Sequence, residues 1–326
     1  MNTRTTLLVC ALPALLFVAA PTESKKLGIL PFDVVKTVNV GSLTRIAGQA
    51  CGQCHRMFSG PDLVAVKVEP TARVIPVGAS TSVKISGTST TPSKTGGFVA
   101  DVTSGTFVAG TNTRIGPFGN VITHADSIAR SWTFSWKAPA TGGLAECYVV
   151  VNATNGDLSN AGDSWSFHGS SPRNTTCTPV RFYANAKGAK ATGESCPDGY
   201  GNYSVLGVPE APAIGTSTFR LEGFGLPPAA PLLVMVSIGG NVPGFDLKAL
   251  GAPGCVLRTK LTLEALAVTK AGNAMRSEGS FTLPLPIPNQ TSLRGLVVAA
   301  QFMALDKKST HPFPVVVTNG IEFTIF

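Results

Sequence analysis

The sequence predicts an all-β protein, a β-sandwich followed by a second compact β domain. Gly (35) and Pro (24) make up about 18% of the 326 residues while only 13% are charged, a composition that favours turn-rich strands over helices. Apolar residues recur at period two in short runs separated by Pro and Gly, as in Val64, Val66, Val68 and later Val83 and Ile85. That is the pattern of half-buried strands joined by turns. A hydrophobic content of 44% is enough for two cores at this length. The net charge of +8 comes from 26 scattered Lys and Arg, which describes a solvated basic surface rather than a nucleic-acid partner.

In chain order, residues 1–22 read as a signal peptide. Arg4 lies in a short polar start, Leu7 to Ala20 is almost wholly apolar but too short to span a bilayer, and Val18-Ala19-Ala20 supplies small residues for cleavage. No other stretch is long and apolar enough for a membrane helix, so the expectation is a secreted chain without a membrane span, extracellular or at the cell surface, in an oxidising compartment. Residues 23–47 form an N-terminal arm whose apolar part, Lys26 to Leu43, is broken at Pro31. Such an arm offers a means of chaining copies by strand addition.

Cys51-Gly52-Gln53-Cys54-His55 is the c-type haem attachment pattern. Two thiols at that spacing reach two vinyl groups on one edge of the porphyrin, and the next residue then falls under the iron. The expectation is one covalent haem c, attached through Cys51 and Cys54, with His55 as proximal iron ligand. Arg45 to Ala50 can begin a helical turn that presents all three along one side. Other chemistries for the motif are a thioredoxin-like redox pair, which wants a βαβ unit that this strand pattern lacks, a zinc site, for which no fourth ligand stands nearby, and a plain structural disulfide.

With Cys10 inside the signal segment, four further cysteines remain: Cys147, Cys177, Cys196 and Cys255. Three pairings exist, and if the cysteines divide between domains the local choice is 147 with 177 and 196 with 255.

Strand signals recur at Phe98 to Val108, Val121 to Thr123, Trp132 to Trp136 and Cys147 to Asn152, the spacing of an immunoglobulin-like sandwich. Gly97-Phe98, Gly105-Thr106-Phe107, Ile122-Thr123-His124, Ser131 to Pro139 with its Trp136-Lys137-Ala138-Pro139 block, Cys147-Tyr148 and Asn152 to Asp157 stand in an order that resembles reelin-type (Reeler-like) domains. The likeness is greatest to bacterial secreted relatives with a Cys-x-x-Cys-His motif before the first strand. It covers about residues 48–177 and implies a disulfide between Cys147 and Cys177. Residues 178–192 read as a linker. Residues 193–326 resemble a C-terminal module of planctomycete-type secreted proteins, on Gly193 to Pro197, Asp246-Leu247 with Gly251 to Cys255, Leu283 to Pro288 and Leu296 to Asp306. The resemblance implies that Cys196 and Cys255 pair.

A proximal His55 leaves the opposite face of the iron to be filled. Met57 is too close in sequence to swing round the ring. His124 is the expected distal ligand because it lies in the same domain and matches a histidine of the resembled family, although relatives without a haem motif carry it too. His168, or a neighbouring subunit, is the alternative. None of the four histidines stands in a Gly-x-Ser-x-Gly or His-Glu-x-x-His setting, so no enzyme is expected. Two functions follow. One is a secreted mono-haem c-type cytochrome that carries single electrons to a redox partner protein or a neighbouring haem subunit, with a homo-oligomer or extracellular filament as one form of assembly. The alternative is a non-haem structural or adhesive surface protein.

Overall fold

The computed structural model describes residues 64–326, apart from 92, 94, 117–118, 158–161, 170–177, 261–262 and 272–277. The signal segment, the arm, Cys51, Cys54, His55 and Cys177 therefore lie outside the described residues. The described elements are strands and two short 3-10 turns. None of the helical segments among them is long and apolar enough to cross a membrane.

The first unit contains β1 (Ala65–Pro70), β2 (Val74–Pro76), β3 (Ser80–Thr88), β4 (Gly96–Val102), β5 (Thr106–Val108), β6 (Thr113–Ile115), β7 (Val121–His124), β8 (Ser131–Lys137), β9 (Gly143–Ala153), β10 (Ser164–Phe167) and β11 (Val180–Asn185). One sheet has the order β1-β3-β8-β5; the facing sheet has β2-β11-β9-β4-β7-β6, with β10 added to β9. β3 and β8 alternate between exposed and buried residues, so each lays one row of side chains on the core. Val83, Ile85, Trp132, Phe134 and Trp136 from that sheet meet Phe98, Val149, Val151 and Phe182 from the other. Phe107 stands edge-on to Phe134 at 5.2 Å and Trp136 stacks on Phe182 at 4.7 Å, geometries that aromatic quadrupoles favour.

In the facing sheet, β4, β9 and β11 are buried along nearly their whole length. Their second face is covered too. Val99, Val121, Val150 and Phe167 form a smaller cluster on the outer side, and the far face of β11 meets the second unit.

That unit comprises β12 (Ala189–Thr192), β13 (Val205–Gly207), β14 (Arg220–Leu226), β15 (Pro231–Ile238), β16 (Phe245–Asp246), β17 (Val256–Leu257), β18 (Leu263–Val268), β19 (Gly279–Pro284), β20 (Val297–Leu305), β21 (Val315–Val317) and β22 (Gly320–Thr324). A sheet β12-β22-β20-β15-β18, with β21 on β20, faces the sheet β13-β14-β19 across a core that includes Phe219, Leu221, Val234, Phe302 and Phe323.

The expected linker at 178–192 is replaced by two strands. β11 completes the first sandwich and β12 opens the second, with only the turn Ala186 to Gly188 between them, closed by Ala189 N–H donating to Ala186 O at 3.2 Å. Its Asn, Lys and Gly content reads as loop, yet Val180, Phe182 and Ala184 fall at period two and enter the first core. The units are also packed together. Val208 N–H donates to Asn185 Oδ1 at 2.9 Å, Tyr183 OH donates to Glu222 at 2.8 Å, and the buried Arg181 pairs with Glu278 at 3.0 Å. A Cβ on Gly207 would lie 2.0 Å from the Tyr183 ring, so this close approach requires glycine.

Cys196 and Cys255 form the expected disulfide, 59 residues apart in sequence, packed on Leu247, Val315 and Val317. Cys147 is buried on β9 opposite Val180; its expected partner Cys177 lies outside the described residues. In the chain-entropy account a loop of that length contributes about 4 kcal/mol. Replacing Cys196 and Cys255 by serine should lower the unfolding free energy by a similar amount, measured by urea denaturation.

Candidate functional site

Of the residues expected to hold the iron, the described chain contains His124 and, as the alternative, His168. Among the described residues no group of three or more His, Cys, Asp or Glu could hold a metal ion by itself.

His124 ends β7, opposite Thr113 of β6. Its ring is buried, 6.4 Å from the Phe98 and Trp132 rings. It lies over Gly97 so closely that a Cβ there would stand 2.3 Å from Cε1. Phe98 N–H donates to its Nδ1 at 3.0 Å, and Thr123 Oγ1 donates to Phe98 O at 2.5 Å. The same Nδ1 lies 3.2 Å from Phe98 O and 3.3 Å from Thr123 Oγ1, so the ring joins the ends of β4 and β7.

His168 follows β10 and is fixed at both backbone groups: its N–H donates to Val149 O at 2.9 Å, and Thr178 N–H donates to its carbonyl at 3.0 Å. Gly169 next to it has φ +66°, and a Cβ there would meet Thr178 Cβ at 2.6 Å, so the turn requires glycine. The His168 Nδ1 lies 2.9 Å from Thr178 O. A carbonyl only accepts, so Nδ1 carries the proton in that contact. Burial pushes the His168 pKa below its ordinary 6.5, against the Thr178 carbonyl and assisted by the charges of Arg73 and Arg181.

His168 lines a cleft of about 560 Å³ between the two units, within the range of roughly 300–1,000 Å³ usual for ligand pockets. One wall is β1 from Val66 to Pro70; the other is formed by Arg73, Arg181, Glu194 and Tyr203. β1 is the edge of its sheet. The Arg73 guanidinium lies 4.0 Å from the Tyr203 ring centroid and only loosely pairs with Glu194, at 3.7 Å. Burial lowers the Arg73 pKa and raises that of Glu194. The cleft is thus lined by both signs of charge, Lys67, Arg73 and Arg181 with Glu69 and Glu194, beside His168, Tyr200 and Tyr203. The sequence carried one signal for it, the Phe167-His168-Gly169 turn; the cations of the opposite wall come from strands placed by tertiary packing.

No protein-family model matches this chain, and no curated protein matches it either. Among solved structures it is similar to trypsin-activated alpha-2-macroglobulin from Escherichia coli, at 12% identity and a TM-score of 0.24, over 81% of this chain and 16% of that one. It is likewise similar to the adhesin InvE of Yersinia pseudotuberculosis, at 12% identity and a TM-score of 0.20, over 86% of this chain and 60% of that one. Likenesses this distant carry no argument about function.

Two outcomes check this geometry. Because folding lowers the His168 pKa, the unfolded chain takes up the proton first. The stability this group allows is therefore complete above pH 6.5 and is lost as pH falls from there through the lower folded value; His168→Gln should flatten that part of the urea-midpoint profile. Gly97→Ala should destabilise by on the order of 1–3 kcal/mol, because the new Cβ would displace the His124 ring.

Proposed function

We propose that this chain is an exported c-type cytochrome that carries one covalent haem on its N-terminal segment and uses the double β-sandwich as a rigid mount. The observation that carries the reading is Cys51-Gly52-Gln53-Cys54-His55, whose last residue stands nine positions before Val64, at the head of β1. A haem would be held through thioether links from Cys51 and Cys54 to its two vinyl groups, each thiol adding across a double bond with no oxidant or reductant consumed, so both would have to stay reduced while Cys196 and Cys255 are oxidised. His55 would supply a neutral imidazole to its iron. When bound, the haem provides a one-electron couple. The chain's own residues anchor and orient it, exclude water and set its ligand field.

No acid–base pair, nucleophile or second metal group is needed for that work, and the reading assigns no enzymatic step. Export and an oxidising location belong to the same proposal, supported by the apolar segment Leu7 to Ala20 and by the Cys196–Cys255 disulfide. The partner is a redox protein or another haem subunit.

In a host with cytochrome c maturation machinery, the intact mature chain should exceed its peptide mass by one haem, and Cys51→Ala with Cys54→Ala should abolish the increment. A wild-type mass without haem leaves the structural or adhesive reading of the same scaffold.

A further inference from the structure

We propose that β18 is a self-association surface, on which a second copy of this chain adds its own β18 antiparallel about a two-fold axis, with Leu266 opposite Leu266 of the partner subunit. The inference goes beyond the cytochrome reading and does not depend on it.

β18 (Leu263–Val268) pairs with β15 on one side and ends its sheet on the other among the described residues. Two bonds just outside the paired stretch fix which way its backbone groups point. Thr269 N–H donates to Ala230 O at 3.0 Å, and Gly239 N–H donates to Val297 O at 2.8 Å. The first turns Thr269, Ala267 and Ala265 toward β15; the second turns Leu233 and Met235 toward β20 and leaves Leu232 and Val234 for β18. Backbone groups alternate in direction along a strand, so the N–H and C=O of Glu264, Leu266 and Val268 point away from the sheet. At Lys270 that outward side is closed, because its N–H donates to Ser280 O at 2.7 Å. The open stretch is therefore centred on Leu266.

An open edge recruits other strands unless it is short or carries lysine or proline. The other edges of the two sandwiches meet one of those conditions. β2, β5, β6 and β13 have three residues each, β1 carries Lys67 and Pro70, β12 carries Lys190, and β19 ends at Pro284. β18 has neither residue type in its six positions, and it leaves Leu266 87% and Val268 61% exposed.

The pattern of the strand selects a second copy as the occupant. One antiparallel register pairs all three outward residues with their own kind: Leu266 meets Leu266 of the partner subunit, Glu264 meets Val268 of the partner subunit, and each pair exchanges two N–H···O bonds. Charge agrees with that direction. Glu264 is the single charged residue of β18 and Lys270 follows it at the other end, both exposed. Residues at period two share a face, so Glu264 stands diagonal to Lys270 of the partner subunit, within reach of a long side chain. The two Glu264 carboxylates lie at opposite ends of the pairing, roughly 13 Å apart along the strands, whereas a parallel pairing would bring like charges together. Three residue pairs bury less than the roughly 1,200 Å² of a standard interface, so the dimer forms at high protein concentration.

Sedimentation velocity of the full chain over a wide concentration range tests the inference, on the wild type, Leu266→Lys and Leu266→Pro, with circular dichroism to check folding. Proline at position 266 removes an outward N–H and leaves the bonds to β15 in place; lysine sets two like charges directly opposite. The wild type should shift from monomer to dimer with rising concentration and stop there, and both variants should stay monomeric. Leu266→Cys should cross-link under mild oxidation into a dimer that the wild type does not form, since the Cα separation of about 5.5 Å in such a pair is one that a disulfide spans. A wild type that is monomeric throughout, assemblies that grow past the dimer, or a dimer untouched by both variants overturns the inference. So does a monomer whose β18 amides gain protection from hydrogen exchange only when a different protein is added, because that assigns the edge to another partner. Should Leu266→Pro fail to fold, Leu266→Lys decides alone, at a side chain that is 87% exposed.

Discussion

Two-sided burial of β11 is the constraint on which the rest of the molecule depends. Val180, Phe182 and Ala184 face the first core, while Arg181 and Tyr183 face the second unit, so the strand cannot be placed unless both units are folded around it. Its polar groups must find partners where water does not reach. Arg181 meets Glu278 and Tyr183 meets Glu222, and burial with the neighbouring Glu222 charge pushes the Tyr183 hydroxyl far above its ordinary range, so it remains a donor. Removing one member of such a buried pair leaves an uncompensated charge, which costs more than the pair contributes. The two sandwiches are therefore joined through β11 by buried polar contacts as well as by the chain itself.

The His168 turn is anchored by Val149 and Thr178 on one side and by glycine geometry on the other. A histidine held at both backbone groups and at one ring nitrogen keeps a fixed place in the wall of the cleft beside β11.

Much of the first unit was legible in the sequence because its outer sheet faces water on one side. Ser80 to Thr88 and Ser131 to Lys137 alternate in burial as their residues alternate in polarity. The inner sheet is harder to read. A strand buried on both faces need not alternate, and β11, with Arg181 and Asn185 inside it, looks like a connector until Glu278 and Val208, remote in sequence, supply partners. β14 and β19, with Gly223, Gly225 and a bulge between Phe224 and Leu226, were hidden by their glycines. The Cys196–Cys255 pair was legible because the two cysteines share a domain. The surroundings of the two histidines were not, since they depend on the register of β4 against β7 and on the placing of Thr178 beside His168.

The account stands on thioether attachment at Cys51 and Cys54, and a pyridine haemochrome spectrum of the alkali-denatured protein tests it most directly. Adding two thiols across the vinyl groups removes both from conjugation with the ring, which moves the α band to shorter wavelength and makes the colour resistant to acid–acetone extraction. The account predicts that band position, unextractable, at one haem per chain. A band at the position of unmodified haem, extractable into acetone, or no band at all, would contradict it.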